Sequence, residues 1–200
     1  MRMTNYQSTH VIYIPGLGDN YDPTRRCLLG LWRYRNITTE LIPMEWSVDD
    51  GFELKRQRVY TAIDRARSKN KRIVIVGESA GGSMAVNVYA ARTKDIAHVV
   101  TLCGKNTHPE TVSPQLYKKN PAFRDSMNSV DESIRLLSDN ARRHFTSIYP
   151  LHDPVVPVHE TLLAGCRQVR IFAYGHLVPI LLLISLFSAV VVREIRRNDT

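Results

Sequence analysis

The stretch IVIVGESAGG, residues Ile73 to Gly82, decides how the rest of this chain is read. RIVIV, from Arg72 to Val76, has the β-branched density of a strand buried on both faces. AGGSMAVNVYAAR, from Ala80 to Arg92, reads as a helix of small residues. A strand must therefore become a helix within about one residue. Gly77-Glu78-Ser79-Ala80-Gly81 fits the pattern G-x-S-x-G. A Cβ two places before or after the serine would collide with the neighbouring strand or helix. Gly77 and Gly81 remove those atoms, and Gly82 lets the helix sit close. The Ser79 hydroxyl is then pushed out at the sheet edge, beside a helix N-terminus, where a nucleophile is wanted. The pattern alone is common by chance, and the strand before and helix after supply its required context. Glu78 is read as facing the sheet flank or loop and is assigned no role.

Working outward, strands and helices alternate. HVIYI (His10 to Ile14) is a strand, TRRCLLGLWRYR (Thr24 to Arg35) a helix and NITTELIPM (Asn36 to Met44) a second strand. Phe52 to Ser68 is a helix with Phe52, Val59, Ile63 and Ala66 on one face. IAHVVTLC (Ile96 to Cys103) is the fourth strand, and residues 106–140 form a short helical insertion of two helices with loops. HFTSIYP (His144 to Pro150) is the fifth strand, 158–165 a short helix, and QVRIFAY (Gln168 to Tyr174) the sixth strand. An apolar C-terminal helix over 177–197 closes the chain. This pattern predicts one α/β domain over residues 1–200. Its form is a three-layer α/β/α sandwich around a mostly parallel sheet of about six strands. In such sheets the site lies at the carboxyl ends of the strands.

A serine needs a base, and the base needs an acid to orient it. After Ser79, Asp153 follows the fifth strand in YPLHDPVVP, and His176 follows the sixth in FAYGHLVP. Both fall at strand ends, on the same edge as Ser79. Asp125, Asp131 and Asp139 lie in the polar middle region instead. His98 sits inside a strand, and His108, His144 and His159 read as surface residues. His152 adjoins Asp153 and is the rival base. Acyl transfer also needs donors for an oxyanion. The Ala80 amide is one. The Leu17 amide is the best-placed second donor, in Pro15-Gly16-Leu17-Gly18-Asp19 after the first strand.

YIPGLGDN, VIVGESAGG, HDPVVP and YGH together resemble a small α/β-hydrolase with a minimal cap, of the serine esterase or lipase kind. The resemblance spans roughly residues 10–190. It implies the α/β-hydrolase fold lacking its first two strands. It implies a Ser79–His176–Asp153 triad with an oxyanion hole at Leu17 and Ala80, elbow glycines at Gly77 and Gly81, and no metal or cofactor. Many members begin the oxyanion loop with His-Gly, whereas this chain has Pro15-Gly16. The implied activity is hydrolysis of a carboxylic ester or thioester through an acyl-enzyme, on a small-molecule acyl substrate. An acyltransferase with the same triad and a non-catalytic binding protein on the same fold stay open as alternatives.

Composition bounds the partners. The formal charge is +8, from 27 Lys and Arg against 19 Asp and Glu. The basic residues Lys55, Arg56, Arg58, Arg65 and Arg67 scatter around one helix without a recognition motif, so no specific nucleic acid is expected. Cys27, Cys103 and Cys166 are far apart and form no CxxC pair, which fits a reducing, cytoplasmic compartment. MRMTNYQSTH lacks the apolar run of a signal peptide. LVPILLLISLFSAVVV, Leu177 to Val192, has no charge and precedes REIRR. It falls short of the about 20 residues of a usual span. As one helix it would be apolar on every face, leaving side chains for a membrane surface or a second subunit to cover. The expected location is therefore cytoplasmic, peripheral to a membrane where that contact is made.

Overall fold

Alternate residues along each strand face opposite ways, so apolar strands need cover on both sides. The computed structural model, which describes residues 8–197, supplies that cover with helices on both faces of one sheet. Residues 1–7, most of the N-terminal stretch read for a leader, lie outside the described residues, as do 198–200. The first half of the chain forms β1 (Thr9–Ile14), α1 (Asp22–Gly30), β2 (Ile37–Leu41), α2 (Phe52–Ser68), β3 (Arg72–Glu78) and α3 (Gly81–Ala91). Next come β4 (His98–Leu102), α4 (Pro114–Lys119), α5 (Pro121–Asn128), α6 (Val130–Leu136) and α7 (Asp139–Arg143). The chain closes with β5 (Phe145–His152), α8 (Val158–Thr161), β6 (Arg167–Tyr174), α9 (Leu177–Ile184) and α10 (Ser188–Arg196).

Val11, Tyr13, Val74 and Val76 pack in one core with Leu29, Trp32, Leu183 and Val191. Ile12, Ile14, Ile73 and Ile75 pack in the other with Val59, Ile63, Met84 and Phe123. The sheet order is β2-β1-β3-β4-β5-β6 and every pairing is parallel. Two pairings position the site. β1 pairs with β3 so that Ile14 lies opposite Gly77, and the loops after these strands leave the sheet side by side. β5 pairs with β6, with His152 opposite Tyr174, so the Asp153 and His176 loops are also neighbours.

Three local expectations are corrected. The helix expected through Arg35 leaves α geometry at Gly30 and continues as a 3₁₀ helix over Leu31–Arg35. The insertion expected to hold two helices holds α4, α5 and α6 in short succession, and α7 begins at its end. Pro114 and Pro121 each start a helix, which explains why the region breaks into pieces.

The third correction concerns the apolar tail, which is two helices rather than one. α9 and α10 meet at 66° across Ser185. The Ser185 hydroxyl donates to the Leu181 carbonyl at 2.5 Å, and the Trp32 indole donates to the Ile184 carbonyl at 3.0 Å. The bend turns both halves onto the sheet. It buries Ile180, Leu183 and Ile184 from one half and Val191, Val192 and Ile195 from the other. Leu177, Val178, Leu186 and Phe187 stay exposed. Among the described residues no single helix is long and apolar enough to cross a membrane.

The basic residues of α2 meet carboxylates of this chain. Lys55 pairs with Asp50, Arg56 with Glu53, Arg58 with Glu45 and Asp50, Arg65 with Glu40 and Arg67 with Asp95.

Candidate active site

Ser79 follows the last residue of β3 with φ at 49°, a left-handed conformation that costs a non-glycine residue on the order of 1–3 kcal/mol. Backbone bonds hold it there. Its N–H donates to Leu102 at 3.0 Å, and its carbonyl accepts from Gly82 at 2.9 Å and Lys105 at 2.8 Å. The surrounding glycines make the room. A Cβ on Gly77 would lie 2.7 Å from the Gly81 carbonyl oxygen, and one on Gly81 would land on the Ile14 carbonyl. A Cβ on Gly16 would lie 2.8 Å from the Ser79 Cβ, so the loop after β1 presses directly against the serine.

His176 immediately precedes α9, and Asp153 follows β5. His176 Nε2 lies 2.8 Å from Ser79 Oγ, and His176 Nδ1 lies 2.7 Å from Asp153 Oδ2. The other carboxylate oxygen, Oδ1, accepts from the amides of Val155 and Val156, each at 2.9 Å. An ionised Asp153 can only accept, so Nδ1 carries the imidazole proton and Nε2 is left to accept from the serine hydroxyl. Asp153 is buried and the His176 ring nearly so. The three residues singled out from sequence thus form one hydrogen-bonded chain.

The rivals lie elsewhere. His152 is exposed at the end of β5, and its carbonyl accepts from Gly175. Asp125, Asp131 and Asp139 sit on α5, α6 and α7. His98 is buried in β4 against Thr146. Burial, with Arg72 nearby, lowers its pKa to about 4.

A pocket of about 350 Å³ opens over Ser79. Leu17, Val112, Leu116, Phe123, Val155 and Val156 give it apolar walls. Leu17 and Ala80 both line it, and no hydrogen bond among the described residues uses either amide N–H. Two buried charges also line this pocket. Lys105 Nζ pairs with Glu160 and bonds Thr111 Oγ1 at 2.5 Å. Burial pulls the Lys105 pKa below its ordinary value, while Glu160 opposes that fall. Neither residue was singled out from sequence, although Lys105 follows β4 and the strand-end rule points to its loop.

Cys103 was also missed as a neighbour of the chain. Its sulfur and ligand atoms of Asp153 and His176 lie within 4.8 Å of one another. Burial, aided by Asp153 and Glu78, pushes the thiol pKa well above its usual value. With the thiol protonated, and the carboxylate and imidazole bonded to each other, this trio is not arranged to hold a cation.

A parallel sheet that offers a strained serine after its third strand, and an acid and a histidine after its last two, defines the class: an α/β hydrolase. The chain belongs to the alpha/beta hydrolase fold family, which matches residues 42–177. No curated protein matches it by sequence. Solved structures share the fold at low identity. One was reported for LipS and LipT, two metagenome-derived lipolytic enzymes. It superposes with a TM-score of 0.69 at 13% identity, covering 96% of each chain. Est1E from Butyrivibrio proteoclasticus gives 0.62 at 14% identity, covering 92% of this chain and 88% of its own. MGS-MChE2, an α/β hydrolase from a lagoon-sediment metagenome, gives 0.64 at 13%, covering 98% and 94%.

Proposed function

We propose that this α/β hydrolase cleaves a carboxylic ester or thioester through Ser79, His176 and Asp153, by way of an acyl-enzyme. The observation that carries the reading is the unbroken run of hydrogen bonds from Asp153 Oδ2 through the imidazole to Ser79 Oγ. As Ser79 Oγ bonds to the acyl carbon, its proton passes to His176 Nε2. The carbonyl electron pair moves onto oxygen, and the Leu17 and Ala80 amides face that charge. Collapse breaks the bond to the alkoxide or thiolate, which takes the proton from His176. Water then enters where the leaving group stood, and His176 takes its proton as it bonds to the acyl carbon. Collapse breaks the bond to Ser79 Oγ, which takes that proton back from His176, and the acid leaves. Asp153 stabilises the imidazolium and holds its orientation.

The pocket bears on substrate size. At about 350 Å³ it is near the lower end of small-molecule sites, and its walls are mainly apolar. A compact acyl group fits this space better than a long chain. Labelling with a fluorophosphonate, followed by locating the adduct by mass, tests the nucleophile. The expected result is one adduct, on Ser79, absent in Ser79→Ala. An unlabelled native protein, or an adduct elsewhere, would overturn the reading. Water and alcohol acceptors offered together to the acyl-enzyme separate hydrolysis from acyl transfer.

A further inference from the structure

Beneath the catalytic surface lies a buried charged group that the proposed mechanism does not use. Arg25, on α1, is 2% exposed and Glu78, next to Ser79, is 1% exposed. Arg25 Nε donates to Glu78 Oε2 at 2.8 Å and Nη2 to Glu78 Oε1 at 2.5 Å, a bidentate pair. Tyr13 OH donates to Glu78 Oε2 at 2.5 Å and fixes the carboxylate from the β1 side. The remaining Arg25 donors turn toward the loop after β1. Nη1 donates to the Gly18 carbonyl and to Asp22 Oδ1, each at 2.9 Å. Nη2 also reaches the Leu17 carbonyl at 3.5 Å. All five guanidinium donors therefore have acceptors.

We propose that Arg25 is a positioning residue for the oxyanion hole, tying the Leu17–Gly18 peptides to Glu78 and so to the serine elbow. The proposal rests on the hydrolase reading above, which makes the Leu17 amide a catalytic donor. The geometry explains why an arginine stands there. Leu17 N–H must keep a fixed distance from the place where the oxyanion forms, and Ala80 N–H must keep the same relation from the elbow side. The Leu17 amide belongs to the loop and the Ala80 amide to the elbow, so something must hold the two segments in register. At Gly16 the loop presses on Ser79 itself. One residue later, Arg25 holds the next two carbonyls and, with its other edge, the side chain of the residue before Ser79. Gly18, at φ 90°, turns its carbonyl to the guanidinium in a conformation glycine adopts without strain. A lysine ammonium has three donors and no planar fork, so it cannot keep the bidentate pair with Glu78 together with the bonds to Gly18, Leu17 and Asp22.

The test uses Arg25→Lys and Glu78→Gln in the full chain. Each variant roughly keeps volume, and Arg25→Lys also keeps the buried charge. Active sites are first counted by fluorophosphonate titration, so that misfolded protein does not enter the rate. Per active site, kcat should fall roughly 10- to 100-fold, somewhat less than deleting an oxyanion donor outright. KM should move less than about 3-fold, because the ground-state carbonyl depends less on this hole. Affinity for a trifluoromethyl ketone should fall in parallel with kcat/KM, and the pH profile should stay put, since His176 and Asp153 are untouched. Either folded variant decides the matter. A kcat per titrated site within about 2-fold of the native value would sink the positioning role, as would a loss confined to the number of titrated sites. A native protein that takes no label at Ser79 would instead remove the hydrolase reading itself.

Discussion

Asp153 grips the His176 ring with one carboxylate oxygen while two backbone amides hold the other. Oδ2 lies 2.7 Å from Nδ1, and Oδ1 takes the N–H groups of Val155 and Val156 at 2.9 Å each. The acid is therefore held by its own loop as well as by the imidazole. Asp153→Asn keeps the shape but brings an NH₂ group that can face Nδ1 and favour the wrong tautomer. On the proposed mechanism kcat should fall by roughly 10³- to 10⁴-fold while the melting temperature changes little. Steady-state rates on an activated ester, beside a thermal melt, check this. An Asn variant within tenfold of native activity would show that Asp153 does not orient the base.

His176→Ala and His152→Ala separate the two candidate bases. His176 bridges Asp153 and Ser79, whereas His152 is exposed and its backbone carbonyl accepts from Gly175. On the proposed mechanism, replacing His176 should reduce kcat by several orders of magnitude and slow fluorophosphonate labelling, because Ser79 would lose its proton acceptor. Replacing His152 should leave kcat within about 2-fold, the ordinary size of an exposed change away from the site. The reverse order of effects would exchange their roles.

How much of this was legible in the sequence depends on how local each signal is. The elbow could be read because strand, glycines, serine and helix are contiguous from Ile73 to Gly82. Asp153 and His176 could be read because the carboxyl-end rule needs only strand positions, not strand order. The Arg25–Glu78 pair could not. It spans 53 residues, and it depends on β1 lying beside β3, which alternation alone does not determine. Nor could the bend at Ser185. Leu177 to Val192 contains no glycine and no proline past the first turn, and the break follows from two sheet-facing halves packing at an angle.

Gly81→Ala should be the most damaging alanine substitution among the glycines. The new Cβ would land on the Ile14 carbonyl oxygen and within 2.9 Å of the Pro15 oxygen, both backbone atoms that cannot rotate away. α3 would have to lift from the end of β1, at a cost of about 3 kcal/mol or more. Gly30→Ala is a fair comparison, because no atom lies within 4 Å of its added Cβ. Urea denaturation should show a large loss for the first and little change for the second. Equal midpoints would refute the steric account of the elbow.

His98 should make stability depend on pH in a defined window. Burial, with Arg72 nearby, depresses its pKa to about 4 from an ordinary 6.5, so the folded protein keeps it neutral where the unfolded chain protonates it. Between those two values the unfolded state binds the extra proton, and stability falls as pH falls. Above pH 6.5 the His98 contribution is fully present, and below about 4 its slope vanishes because both states are charged. The full depression corresponds to roughly 3 kcal/mol. Other groups titrate in the same range, so the decisive quantity is the difference between native protein and His98→Gln. Glutamine can still bond Thr146 but cannot titrate. Denaturation at pH 7 and pH 4.5 should show the native protein losing more stability than the variant by an amount of that order, and parallel losses would mean that His98 does not carry the dependence.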